Sequence, residues 1–167
     1  MLTVEVERSY VLSGNKPPSF VGLQRDGFGV PFDVSTRSRK GLTDIMSDAI
    51  ERGLTAAGYT VTRVRCSRNT ADYVSAARDN HASRIVVLKV RKWKSDVMYG
   101  ITLTSDLQLS VLDTNGALLA QSSSESYGKI GAGCWATTDE NSSLLATEFS
   151  KIVGNLFNDE KVRRALA

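Results

Sequence analysis

Tyr99-Gly-Ile-Thr-Leu-Thr-Ser-Asp-Leu-Gln-Leu-Ser-Val111 decides the fold. Tyr99, Ile101, Leu103, Leu107, Leu109 and Val111 share one parity, and Thr102, Thr104, Asp106, Gln108 and Ser110 share the other. Such alternation describes a long strand with one buried and one wet face. Asn115-Gly116 follows, a pair suited to the two positive-φ positions of a type I′ turn. With Thr114 facing Ala117, Val111 falls opposite Ala120, Leu109 opposite Ser122, Leu107 opposite Ser124 and Leu103 opposite Gly128. The return strand thus lines the buried face with small residues and leaves room for a bulky element. Leu145, Phe149, Ile152, Val153, Leu156 and Phe157 supply one, as the apolar stripe of a helix behind the capping box Thr137-Thr-Asp-Glu140. A short helix over Asp159–Leu166 closes the chain.

Upstream, Arg84–Lys94 begins as a continuous apolar run, as a central strand covered on both faces does, and ends basic. Leu42, Ile45, Met46, Ala49, Ile50, Leu54 and Ala57 form a helical stripe, with Gly58 at the left-handed C-terminal position. Tyr59–Cys66 is rich in β-branched residues and reads as a strand. Asn69 caps a helix over Thr70–Asn80 that buries Tyr73, Val74 and Ala77. Met1–Leu12 alternates as an opening strand, Ser13–Ser19 is dense in turn formers, and Gly22–Asp33 reads as a long loop or an irregular edge strand. The order implies an α/β (α+β) single-domain sandwich over residues 1–167. Its sheet is mixed and largely antiparallel, with the helices packed mainly on one face.

The 167 residues suit one core, and 41% apolar against 23% charged composition argues against disorder. No run of 18 apolar residues spans a bilayer. One histidine and two cysteines are too few for a His/Cys metal site, and a Ser-His-Asp arrangement would rest on His81 alone. The net charge is +3, but Arg25–Lys94 holds fourteen Lys/Arg against seven Asp/Glu, which leaves the rest of the chain acidic. No consecutive basic block accompanies that excess. The N-terminus lacks the basic-then-apolar layout of a signal peptide, which read literally means a cytoplasmic chain beginning at Met1.

Candidate chemistry is sparse. Gly128-Lys-Ile-Gly-Ala-Gly133 joins a strand to a helix start, a setting for anions, without P-loop or dinucleotide spacing. Lys89, Arg91, Lys92 and Lys94, interleaved with Trp93 and near Tyr99, either bind anions and stack bases or form a strand end whose cations meet nearby acids. His81 sits at a helix end, and Asp44 and Asp48 share one helix face without a third ligand. Cys66 and Cys134 lie at element edges, open to a disulfide in an oxidising compartment or to two separate thiols in the cytoplasm. Phe20, Phe28 and Phe32 in a Gly/Pro-rich segment either form an exposed patch for a partner or fold back on the core.

Leu42–Gly58 ending Gly-Leu-Thr-Ala-Ala-Gly-Tyr-Thr-Val61, the strand Arg84–Val97, the Tyr99–Val111 run with Asn115-Gly116 and the closing helices resemble the YajG-type bacterial lipoproteins. More distantly, the element order is similar to the periplasmic domains of curli-secretion and penicillin-binding-protein activator lipoproteins. The resemblance implies a non-enzymatic envelope domain without cofactor, tethered by an N-terminal lipid, that binds an envelope protein or polymer through the polar sheet face and the Phe20–Phe32 segment. No lipid-accepting cysteine lies near Met1, and the helix over Thr70–Asn80 is an addition to the family layout. The alternative expectation is a cytoplasmic anion- or nucleic-acid-binding module built on the basic strand end.

Overall fold

The computed structural model describes residues 1–66, 69–132 and 138–167. Its centre is the hairpin of β5 (Gly100–Leu112) and β6 (Leu118–Ala132). Val111 pairs with Ala120, Leu109 with Ser122, Leu107 with Ser124 and Leu103 with Gly128, as the alternation requires. The turn differs from expectation. Only Gly116 is left-handed, at φ 86°, while Asn115 is not. The Asp113 carboxylate accepts from the N–H groups of Asn115 (2.8 Å) and Ala117 (2.9 Å). Asp113 also pairs with Ala117 through its own N–H (2.9 Å). This side-chain-to-backbone bonding favours a three-residue loop over the two-residue turn. Leu112 then meets Leu118, and the extra residue Leu119 restores the register at Ala120.

β4 (Ile85–Val97) is central. β5 lies antiparallel along one edge, and β1 (Leu2–Val6) and β2 (Phe20–Arg25) lie parallel along the other, giving the order β3-β2-β4-β5-β6 with β1 beside β4. β3 (Pro31–Ser35) is the outer strand of a β2–β3 hairpin, so the edge-strand reading of this segment holds. α2 (Leu42–Ala56), α4 (Thr138–Asn158) and α5 (Glu160–Leu166) cover one face. There Met46, Ile50, Phe149, Ile152, Leu156 and Val162 meet Val86, Leu88, Leu107, Leu109 and Ala120. The small residues of β6 thus receive α4 and α5 as expected. α3 (Thr70–Asp79) takes the other face, where Tyr73 and Ala77 join Met1, Ile85, Val87 and Leu112. Asn69 caps it by accepting from Ala71 N–H (3.0 Å). The box at Thr137 lies outside the described residues.

Two expected strands are corrected. β1 stops at Val6, and α1 (Ser9–Leu12) follows, because Arg8 turns inward and donates to the carbonyls of Phe20 (2.5 Å) and Pro18 (2.9 Å). Tyr59–Cys66 makes only a parallel bridge at Leu2, through Leu2 N–H to Thr62 O (2.8 Å) and Val64 N–H to Leu2 O (3.0 Å). Its arginines are drawn instead to α2: Arg63 to Asp48 and Glu51, and Arg65 to Asp44. Local β-propensity yields here to those charge contacts.

Candidate functional site

The β2–β3 hairpin separates the three phenylalanines. Phe20 begins β2 and is 2% exposed, edge-on to Tyr10 at 5.5 Å, so it belongs to the interior and leaves the expected surface patch. Phe28 at the tip is 96% exposed and Phe32 57%. Asp26 builds the tip by accepting from the N–H groups of Phe28 and Val30, both at 2.9 Å. Gly29 completes it at φ 84°. Those bonds fix the turn that carries the exposed Phe28 ring.

Arg25 ties this hairpin to β4. Its guanidinium donates twice to Asp96, at 2.9 and 2.8 Å, and once to the Gly29 carbonyl at 3.2 Å. The hydrogen bond from Arg25 holds the Asp96 carboxyl below its usual range against the opposing effect of partial burial. The tip therefore lies beside the β4–β5 turn, with the Met98 methyl next to Gly29. Tyr99 in that turn is 73% exposed and Tyr127 on β6 79%. Tyr127 faces the open side of the sheet, opposite Thr104 and one row from the Lys129–Thr102 pair. A shallow cavity of about 380 Å³ lies between Arg25, Lys94, Met98, Tyr99, Tyr127 and Lys129. One end of the sheet thus gathers Phe28, Phe32, Met98, Tyr99 and Tyr127.

The basic strand end is mostly compensated. Lys89 meets Glu7 at 3.3 Å, and Arg91 reaches Glu7 (3.6 Å), Asp106 (3.8 Å) and Gln108 (2.5 Å). Lys92 meets Glu125 at 3.1 Å in the row Lys92–Asp106–Glu125. Among the described residues Lys94 alone of the four has no ion pair, and it lines the same shallow cavity. Trp93 is no stacking platform. A bulge at Arg91 reverses the parity of β4, so Trp93 is 3% exposed and packs edge-on against Phe149 at 5.6 Å.

Gly128–Ala132 continue β6 rather than forming an anion loop, with Gly131 held close beneath Leu144 of α4; Gly133 lies outside the described residues. His81 ends α3 in a left-handed conformation (φ 50°) and donates its N–H to Arg78 O (3.1 Å). Asp44 and Asp48 are engaged by Arg65 and Arg63. Cys66 is partly buried, and burial pushes its thiol pKa up, with Asp72 and Glu5 adding to the rise. Cys134 lies outside the described residues.

Sequence reasoning missed Tyr127, although its parity among Gln121, Ser123, Glu125 and Lys129 marks it as an aromatic on a wet face. It also missed a larger open cavity of about 1090 Å³ beside β1, lined by Val4, Val6, Leu12, Asp44, Val61 and Cys66. No helix among the described residues is long and apolar enough to cross a membrane.

No family model and no curated protein matches the sequence. Among solved structures, protein XCC0632 from Xanthomonas campestris, of the family-model DUF330, superposes with a TM-score of 0.55 at 12% identity, over 98% of this chain and 87% of that one. The PelC L103M dodecamer from Paraburkholderia phytofirmans gives 0.52 at 11% identity, over 93% and 84% of the two chains. Lipoprotein GNA1162 from Neisseria meningitidis gives 0.47 at 15% identity, over 95% and 97%. At these identities what is shown is a likeness of fold, to XCC0632 and to PelC.

Proposed function

We propose that the chain is the periplasmic domain of a non-enzymatic bacterial envelope lipoprotein, and that it binds another envelope protein through the end of the sheet bearing Phe28, Phe32, Met98, Tyr99 and Tyr127. One observation carries the reading: five large apolar or aromatic side chains from three segments are exposed at one end, and one of them, Phe28, sits on a turn that Asp26 holds by two hydrogen bonds. A patch of that kind marks an interaction surface. Aromatic side chains are also the residue type on which binding energy concentrates. The sequence likeness to lipoproteins supports the periplasmic compartment and the N-terminal tether of this reading.

Two measurements test it. Palmitate labelling of the native gene product with mass spectrometry of the mature N-terminus reads the tether, and unlabelled soluble protein overturns that half. A photo-crosslinker at Phe28 or Tyr127 in living cells reads the partner. Phe28→Ala with Phe32→Ala should abolish the cross-link and leave thermal stability within about 0.5 kcal/mol, as substitutions of exposed side chains do. Loss of stability instead would place both rings in the core. PelC is a dodecamer, so a cross-link to a second copy of this chain would replace the foreign partner with self-assembly.

A further inference from the structure

β1 presents an unfinished edge. Its inward N–H and C=O groups alternate onto β4: Val86 donates to Met1 O (2.9 Å), Glu7 donates to Val90 O (2.8 Å), and the register runs Thr3 to Val87 and Glu5 to Lys89 between them. Leu2, Val4 and Val6 therefore point their backbone groups the other way. Leu2 is satisfied by Thr62 and Val64. Beyond it the partner segment leaves, because Arg65 is held by Asp44 at 2.6 Å and the chain must reach Asn69 at the start of α3 on the opposite face. Val4 and Val6 have no backbone partner on that side among the described residues. Both line the open cavity of about 1090 Å³.

We infer that this cavity is a docking groove for an extended segment of a partner polypeptide, which adds to β1 as a strand at Val4 and Val6. The backbone dictates the occupant. Two donor–acceptor sets ~6.6 Å apart, the repeat of alternate strand residues, are matched by another strand. The existing bridge shows that the edge accepts a parallel strand, and the new segment continues the line that Thr62–Val64 begins. The acids of α2 in the groove are occupied by Arg63 and Arg65. The remaining wall of Val4, Val6, Leu12 and Val61 favours an aliphatic side chain pointing towards α2. This surface is separate from the aromatic end and independent of the function proposed for it.

A phage-displayed random decapeptide library selected on the full chain tests the inference. Selected peptides should shift the Val4 and Val6 amide resonances and slow their hydrogen exchange, while the Thr3 and Glu5 amides, already bonded to β4, change little. Val6→Pro removes one outward donor and no bond to β4, and should weaken those peptides at least tenfold. Phe28→Ala should leave their binding unchanged. The amide readout on the unaltered protein stands even if the proline variant does not fold. Selected peptides that leave Val4 and Val6 unmoved overturn the inference. So does slow exchange of both amides in the chain alone with contacts to Arg65, which would mean that the chain's own segment fills the groove.

Discussion

Gly22→Ala tests how the candidate surface is held. β2 pairs with β4 only through Gly22–Gln24 against Ser95–Val97, so this short ladder and the Arg25–Asp96 contact dock the hairpin that carries Phe28 and Phe32. A Cβ at Gly22 would lie 2.1 Å from Ser95 Oγ, 2.3 Å from Ser95 O and 2.8 Å from Ser95 N. Rotating the serine hydroxyl away relieves the first clash. The other two involve backbone, so β2 must move outward by about an ångström or detach. Overpacking of a fixed core costs about 1–3 kcal/mol, and the backbone clash sets the expectation at the upper end, about 3 kcal/mol. For a domain of this size that is a fall in Tm of roughly 6–12 °C. Limited proteolysis should show new cleavage between Gly27 and Thr36, and the Phe28 cross-link should weaken because its turn is displaced. Ser95→Ala, which removes the hydroxyl alone, should not rescue the variant. A Tm within about 2 °C of the parent, with unchanged proteolysis, would refute the claim that this close approach positions the surface.

Tyr73, whose hydroxyl donates to buried Glu5 sixty-eight positions away in sequence, keeps its proton far above the ordinary tyrosine value of 10.0, through burial first and then that hydrogen bond. The folded state therefore binds more protons than the unfolded chain above pH 10, so its stability falls as pH rises from there, by up to about 1.4 kcal/mol per pH unit, and Tyr73→Phe should lose that slope in urea denaturation between pH 10 and 12. Asp96 behaves in the opposite sense: its pKa is depressed by Arg25, so its stabilisation is present above the ordinary 3.8 and is lost as pH falls through the folded value, and Asp96→Asn should flatten the acid limb of a Tm-versus-pH curve. Arg8 is fully buried, donates to the carbonyls of Phe20 and Pro18 and lies over the Tyr10 ring at 5.6 Å, with its charged form disfavoured by burial; Arg8→Ala should cost about 3 kcal/mol or more in equilibrium unfolding, because two charge-assisted bonds are lost and buried acceptors are left unmatched.

How much of this was legible in the residues depends on the range of the interaction involved. The β5–β6 register was readable because Ile101, Leu103, Leu107, Leu109 and Val111 share one parity, so that a slip would turn Leu103, Leu107 and Leu109 outward. The turn was read wrongly and the register rightly for a physical reason: the loop is one residue longer than expected, and the bulge at Leu119 returns the residue that the loop took. The segment Tyr59–Cys66 failed for the opposite reason. Its β-branched content fixes an extended backbone, but pairing needs a neighbour, and the contacts that decide its path are arginines reaching carboxylates on a different element.

The site was legible to the same degree. Phe20, Phe28 and Phe32 look alike in a Gly/Pro-rich stretch, yet Phe20 is buried because Arg8 draws the start of β2 inward by its own carbonyl, whereas Phe28 is exposed because Asp26 caps the tip around it. Neither cause is periodic. Trp93 illustrates the point from the other side: in uninterrupted alternation it would share a face with Lys89 and Arg91, and a single bulged residue, Arg91, transfers it to the core beside Phe149 and turns Lys92 and Lys94 to the open sheet. Once moved there, Lys92 finds Asp106 opposite and reaches Glu125 one strand beyond it, so that a cation which reads as part of an anion site joins a row of carboxylates. Among the described residues Lys94 and Lys129 on that face make no ion pair and line one shallow cavity with Tyr99 and Tyr127, which is why the proposed partner surface is the open end of the sheet and not the basic strand as a whole.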